Sequence, residues 1–519
     1  MFVKIEDLIL SRLAWIAEYT LVDNHLIIYH GQDVEVGDDF VVEGVWDGSY
    51  KDLDCDTSNH FFGSGLKISN DELVAVPSTG LVDRIFIGES KDKYFISNSL
   101  IEILARTKSK LVPSHNYKIQ TDTIQSGINK YINDYPIISD SIASLKQYFY
   151  HPIIINRKGS SIRKRPKNPD FFNYEHYIST ITSDLEKIYL NSSSPLRNKS
   201  IDLYTTISKG YDSTAVTALT ADLPIKTAFT SKTSNSSVLG FFSKDFINDD
   251  GTEIAEKLGL NVTYLDFNDL EVDNDELYFL AATTGSPELQ LYKMHKIVAS
   301  NKKPGIIFTG YHGDTVWGLA PPKEALTDDI LKPGASGLTL SEVRLKSGFI
   351  DVPVPMMYAR SIVSINHLSA SEAMSKWSVG GDYDRPIPRR IVESRGIGRD
   401  SFGRKKRAIA KFYDLPRNNR LRKEFLRYMR TNHNKSSVSI LVNHFKDQLE
   451  YYLKMFLFTL DQISLRTGKF ERPLDVHTID TPYHMHIWAL AKLVEIRAKE
   501  LDSLAESISQ ESNNFISRY

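Results

Sequence analysis

The sequence predicts an α/β chain built around a parallel sheet, with a β-rich region before it and a helical region after it. Three observations carry that prediction. Between about residue 172 and residue 310, short apolar runs alternate with helix-patterned segments, which implies βαβ units and helices on both faces of a parallel sheet. Residues 1 to about 135 read instead as short alternating runs broken by Gly, Asp, Asn and Ser. From about 405 to 519 apolar residues recur at helical spacing. A chain of 519 residues exceeds one ordinary core. The expected division is 1–150 for the β-rich domain, 172–415 for the parallel-sheet domain and 416–519 for the helical region.

Taken in order, the runs HLIIYH, FVVEGVW, ELVAVPS, DRIFIGE and KYFISN predict strands, and a short helix is expected over Leu100 to Arg106. The polar stretch NRKGSSIRKRPKNPD, 156–170, has the composition of a linker or exposed loop. A helix over YEHYISTITSDLEKIYLN then leads to a strand in IDLYTTIS and a helix in STAVTALTAD. The strand IKTAFTS, the helix GTEIAEKLG, the strand NVTYLDF and the strand PGIIFTG follow. No internal repeat is evident.

Lys plus Arg (63) and Asp plus Glu (65) nearly cancel to a net charge of −2, so nothing in the balance suggests a general nucleic-acid or membrane binder. The single cysteine, Cys55, excludes an intramolecular disulfide and a Cys-rich zinc site, and fits a reducing compartment. The first apolar stretch carries Glu6, Asp7 and Arg12 and is expected to be neither a signal peptide nor a membrane span. A cytoplasmic protein with no membrane contact is the expectation.

The segment TISKGYDSTAVTAL, 206–219, places a small polar loop between a strand and a helix. After a parallel strand, turn amides and the free N–H groups of the next helix attract anions, helped by the helix dipole. Ser208 and Ser213 add hydroxyls, Gly210 permits close backbone approach, Lys209 adds a charge, and Asp212 can orient the loop or hold a metal. The loop is neither a Walker A motif nor G-x-G-x-x-G. A Ser/Asp-rich helix cap without a ligand remains the plain alternative.

The pattern S-x-G-x-D-S resembles the PP-loop of ATP pyrophosphatases, S-G-G-x-D-S, with Lys209 in place of the first glycine. Asp249-Asp250-Gly251-Thr252-Glu253 followed by IAEKLG resembles the acidic helix start of asparagine-synthetase-like domains; an ordinary amphipathic helix with an acidic first turn fits equally. IIFTGYHGDTVWG, 306–318, resembles the GxGxDExFGG segment of that family, with Asp314 at its acidic position and Thr315 where the family often has Glu. RRIVESRGIGRDSFGRKKRAI, 389–409, resembles its basic segment, with Lys405 and Lys406 as the candidates and Arg399 next. VEGVWDG, DELVAVPSTGLVDRIFI and DKYFISNSLIEILA resemble the family's glutaminase domain, but Phe2 stands where that domain has its nucleophilic cysteine.

The resemblance implies a PP-loop (adenine nucleotide alpha hydrolase-like) synthetase domain and a glutaminase-like fold without glutaminase activity, as in the β-lactam synthetase and lasso-peptide cyclase relatives. It implies a carbon–nitrogen ligase that uses ATP and Mg2+, adenylates a carboxylate, releases pyrophosphate and forms an amide. Ser208, Lys209, Gly210, Tyr211, Asp212, Ser213, Gly310, His312 and Gly313 would bind nucleotide, and Asp212 and Asp314 the metal. Lys405, Lys406 and Arg399 would serve the reacting centre. The partner would be a carboxylate-bearing small molecule, peptide or protein, and the basic stretches keep a protein or RNA acceptor open. Two rivals stand beside this: a 7-cyano-7-deazaguanine synthase-like enzyme without its zinc site, and an inactive nucleotide-binding partner protein.

Overall fold

The computed structural model describes residues 1–7, 10–70, 72–234, 247–265, 278–279, 282, 289–319, 321, 323–331, 341–380, 384–401, 419–442, 445–446, 449–450, 453, 456–457 and 481–516. The N-terminal region is β-rich. One sheet carries Phe2–Asp7, His25–His30, Trp15–Thr20, Lys93–Ser97, Ile85–Glu89 and Ser144–Tyr148 in that spatial order. The other carries Gly159–Ile162, Ile153–Asn156, Glu72–Val76, Phe61–Ile68, Phe40–Trp46 and Glu35–Gly37. The first two strands of the chain's opening sheet pair in parallel, Phe2 opposite His25.

Period-two alternation explains why the two sheets stack. Trp15, Ala17 and Tyr19 point one way from their strand and meet Leu66, Leu73, Ala75, Ile153 and Ile155 of the facing sheet in one buried cluster. The expected linker at 156–170 turned out otherwise over part of its length. Gly159–Ile162 hairpins back on Ile153–Asn156, with Gly159 at φ 124° in the turn. Its side chains are polar because it is the sheet's edge strand, where three of its four residues face solvent. Composition there reports an edge, not a linker.

The parallel sheet has five strands, in the spatial order Val262–Tyr264, Ile225–Thr230, Asp202–Thr206, Gly305–Thr309, Phe349–Pro353. Numbered along the chain, that is 3-2-1-4-5. Buried-on-both-faces strands explain the near-continuous apolar run Gly-Ile-Ile-Phe at 305–308. Helix Tyr174–Ser192 leads into the sheet, and helix Tyr211–Thr220 follows its central strand. Helices Asn419–His433 and Thr481–Ile516 represent the expected helical region. Among the described residues no helix is long and apolar enough to cross a membrane.

A fully buried arginine joins the two sheet systems. Arg344, on helix Ser341–Ser347, donates to both carboxylate oxygens of Glu43 at 2.9 and 2.8 Å. Its Nε lies 2.5 Å from Asp83, and its Nη1 also reaches the carbonyl of Phe349 at 3.2 Å. Glu43 and Asp83 come from the sandwich, Phe349 from the last parallel strand. Removing one partner of such a cluster leaves the others charged and desolvated. Arg344→Ala is therefore expected to lower stability by about 3–5 kcal/mol, read from urea unfolding at neutral pH. A loss below about 1 kcal/mol would mean that the joint is held elsewhere.

Candidate functional site

The candidate site lies at the carboxyl ends of the two central parallel strands. Strand Asp202–Thr206 ends in the loop 207–210, and helix Tyr211–Thr220 starts at once. Gly210 is the cap residue, extended at φ −79° and ψ 154°. Its amide donates to Ser208 Oγ at 3.0 Å, and the Ser208 and Ser213 hydroxyls meet at 2.8 Å. From beneath, Thr214 Oγ1 donates to the carbonyls of Ser208 (2.8 Å) and Gly210 (2.6 Å). From the side, buried Asp249 accepts the Lys209 amide at 3.1 Å. The loop is thus tied at three points while Ser208, Lys209, Gly210, Asp212 and Ser213 stay partly open to solvent.

Lys209 needed explaining, because a glycine-compatible conformation would strain it. It is not among the described residues with positive φ, so the loop accepts lysine without that penalty.

The second loop follows strand Gly305–Thr309. His312 adopts the left-handed conformation at φ 70° and caps the short helix Gly313–Val316. The two loops touch backbone to backbone. A Cβ on Gly310 would fall 2.6 Å from the carbonyl carbon of Asp212 and from the amide of Ser213. A Cβ on Gly313 would fall 2.7 Å from Asp212 Cγ. The glycines at 310 and 313 are what let the loops meet.

The sheet order places that meeting between strands one and four, where the winding reverses. In open α/β sheets ligands bind in the crevice outside such a switch point. Ser208, Lys209, Gly210, Asp212, Ser213, Gly310, His312, Gly313 and Asp314 all lie on these two loops. Tyr211 does so through its backbone only: its ring is buried, and Arg389 Nη2 donates to its hydroxyl at 2.5 Å.

The acidic helix start resolves into structural roles. Asp250 accepts the Thr252 amide at 3.0 Å and the Tyr264 hydroxyl at 3.1 Å, so it ties the turn that enters helix Thr252–Lys257, whose cap residue is Gly251. Burial pushes its carboxyl up, but those hydrogen bonds and the Lys209 charge outweigh burial and hold it below the usual range. Glu253 pairs with Lys257 at 2.7 Å on the surface.

Arg399 is exposed, bound to Glu393 at 2.6 Å and to the Lys376 carbonyl at 2.7 Å. Lys405 and Lys406 lie outside the described residues. Sequence reasoning passed over Arg389. Helix Pro386–Ser394 packs on helix Tyr211–Thr220 and buries Arg389 with its guanidinium 5.1 Å from the Tyr211 ring centre. The available signal was a pair of arginines inside the otherwise apolar run Pro386-Ile387-Pro388-Arg389-Arg390-Ile391-Val392.

No family model matches this chain, and no curated protein matches it. Among solved structures it is similar to the glutamine phosphoribosylpyrophosphate amidotransferase from B. subtilis complexed with ADP and GMP, at 10% identity and a TM-score of 0.13. That likeness covers 48% of this chain and spans 42% of that structure's length, and at such a score it carries no argument.

The loop contact makes its own prediction. Gly310→Ala drives a methyl into backbone atoms and is expected to lower stability by about 1–3 kcal/mol. Gly398→Ala, whose Cβ meets nothing within 4 Å, serves as the comparison and should shift the urea midpoint far less. Equal effects would mean that the two loops separate at little cost.

Proposed function

We propose that this protein is an ATP-dependent synthetase with a PP-loop, which adenylates a carboxylate and then forms an amide. The observation that carries the reading is the pairing of two loops at the switch point, one bringing Ser208, Gly210, Asp212 and Ser213, the other Asp314. A substrate carboxylate oxygen attacks the α-phosphorus of ATP, and the bond to pyrophosphate breaks. An amine nitrogen then attacks the acyl carbon, and AMP leaves with the bonding pair as the nitrogen gives up its proton.

The loop's amides and hydroxyls suit the pyrophosphate, since the helix dipole and N–H direction at a helix N-terminus favour an anion. Asp212 and Asp314 are partly exposed carboxylates from facing loops, the hard oxygen donors that Mg2+ prefers. When bound, Mg2+ neutralises charge on the leaving group. Lys405 or Lys406 is proposed for the oxyanion, and Arg399, already paired with Glu393, for the rim of the site. The amine does not come from glutamine by way of Cys55. That thiol is buried in the sandwich core, and burial pushes it up to about 12, so no thiolate forms near neutral pH. An amino group on the substrate or on a partner protein is the proposed nucleophile.

One observation favours the inactive-binder reading. The Lys209 amide is already taken by Asp249, and one of the two loop hydroxyls donates to the other. Phosphate must break those bonds to enter. Turnover separates the readings: wild-type chain with ATP, Mg2+ and candidate carboxylates and amines is expected to release AMP and pyrophosphate. Asp314→Ala should lower that rate on the order of a hundredfold. ATP binding without AMP or ATP–pyrophosphate exchange under any condition would leave the protein a binder.

A further inference from the structure

A second candidate site lies away from the loops, where the sandwich meets helix Tyr174–Ser192. Asp47 directly follows strand Phe40–Trp46, and His60 directly precedes strand Phe61–Ile68. Trp46 and Phe61 are paired across the ladder, so Asp47 and His60 stand opposite each other at its end. The His60 amide donates to Asp47 Oδ1 at 3.0 Å, fixing their relation. Asp184 comes from the buried face of the helix, and its Oδ2 lies 3.6 Å from His60 Nε2. Among the described residues this is the only group of three or more His, Cys, Asp or Glu side chains whose donor atoms all lie within 4.8 Å of one another.

The histidine is the second observation. His60 is 1% exposed, and neither of its ring nitrogens has a hydrogen-bond partner. At 3.6 Å the contact with Asp184 is an ion-pair separation, too long for a hydrogen bond. A buried imidazole without a hydrogen bond is costly, whereas an imidazole nitrogen grouped with two carboxylates is a ligand set. Ligands around a tetrahedral zinc, at bonds of about 2.0–2.2 Å, stand about 3.3–3.5 Å apart. The His60–Asp184 separation is already close to that.

The surroundings are compatible. Lys187 Nζ donates to Asp184 Oδ1 at 2.7 Å, leaving Oδ2 facing the imidazole. Tyr358 donates to the same Oδ2, which has a second lone pair, and its ring stands edge-on to His60 at 4.7 Å. Two carboxylates against one lysine leave a net negative charge when His60 is neutral.

We propose that Asp47, His60 and Asp184 form a divalent-metal site of the nitrogen-and-oxygen kind that takes zinc. The site uses no thiol, so the single cysteine does not bear on it. It fastens the sandwich to the helix that feeds the parallel sheet, through residues other than those of the Arg344 joint.

The test uses the full chain without an affinity tag, stripped by a chelator, dialysed and titrated with zinc chloride in a calorimeter. One zinc per chain is expected, and cobalt in its place should give the visible absorption bands of a tetrahedral ion. His60→Gln and Asp47→Asn are each expected to weaken zinc binding at least about tenfold, while Glu72→Gln on the sheet surface should not. Asn at 47 can still accept the His60 amide, so Asp47→Asn decides the matter if His60→Gln fails to fold by circular dichroism. No stoichiometric uptake by the wild type overturns the proposal. So does uptake that survives both substitutions unchanged.

Discussion

Arg344 sits where the two sheet systems and a connecting helix meet, and it is the buried charge through which the sandwich and the parallel sheet are set against each other. Its guanidinium satisfies a carboxylate of the sandwich and a carbonyl of the parallel sheet at once. Glu43 in turn accepts Ser64 Oγ at 2.7 Å and Asn98 Nδ2 at 3.1 Å, and Ser64 accepts the Trp15 indole at 2.9 Å. The chain of bonds therefore runs from the middle of one sandwich sheet, through the other, to the last parallel strand. Burial alone would lower the arginine's pKa, but Asp83 and Glu43 outweigh it and keep the group charged. Glu43 and the Phe349 carbonyl hydrogen-bond the guanidinium, whereas Asp83 meets its Nε by charge alone, without a hydrogen bond, so the joint rests on both kinds of contact.

The candidate loops depend on this placement indirectly. Strand Gly305–Thr309 is flanked by Asp202–Thr206 on one side and Phe349–Pro353 on the other, and Phe349 is the strand residue that Arg344 holds. Fixing the outer strand fixes the register of the second loop against the first. The remaining alignment is local. Gly310 and Gly313 supply closeness, and Thr214 and Asp249 supply the ties. The Asp249 tie uses the Lys209 amide, a donor that an anion in this loop would also want, whereas the Thr214 tie uses only carbonyls and does not compete.

The parts of this architecture legible in the sequence were those with local periodicity. Strands His25–His30, Phe40–Trp46 and Gly305–Thr309 and helices Leu100–Arg106 and Tyr174–Ser192 follow apolar spacing that needs no tertiary context. The strands Trp15–Thr20 and Phe349–Pro353 were harder. The first was read with a longer apolar opening segment, and the second carries Asp351 in its middle, which breaks an apolar run. Both make sense only in the fold, where each pairs on two sides or meets a buried cation. The site divided the same way. Loop residues stood out because Ser, Gly and Asp cluster at a strand–helix junction, whereas Arg389, Asp249 and the Asp47–His60–Asp184 group come together only through long-range packing.

The 3-2-1-4-5 order has a consequence for how the chain reaches its folded form. Strand Asp202–Thr206 is the middle of the finished sheet, but its neighbour Gly305–Thr309 lies about a hundred residues further on. During synthesis from the N-terminus the sandwich is complete first, and strand one pairs with strand two long before strand four emerges. For that interval the future centre of the sheet is an unprotected edge with apolar faces, able to pair with any other extended chain. Non-local pairing of this kind is also slow. The vulnerable stage in the life of this protein is therefore its birth, when the half-built sheet must wait for its fourth strand.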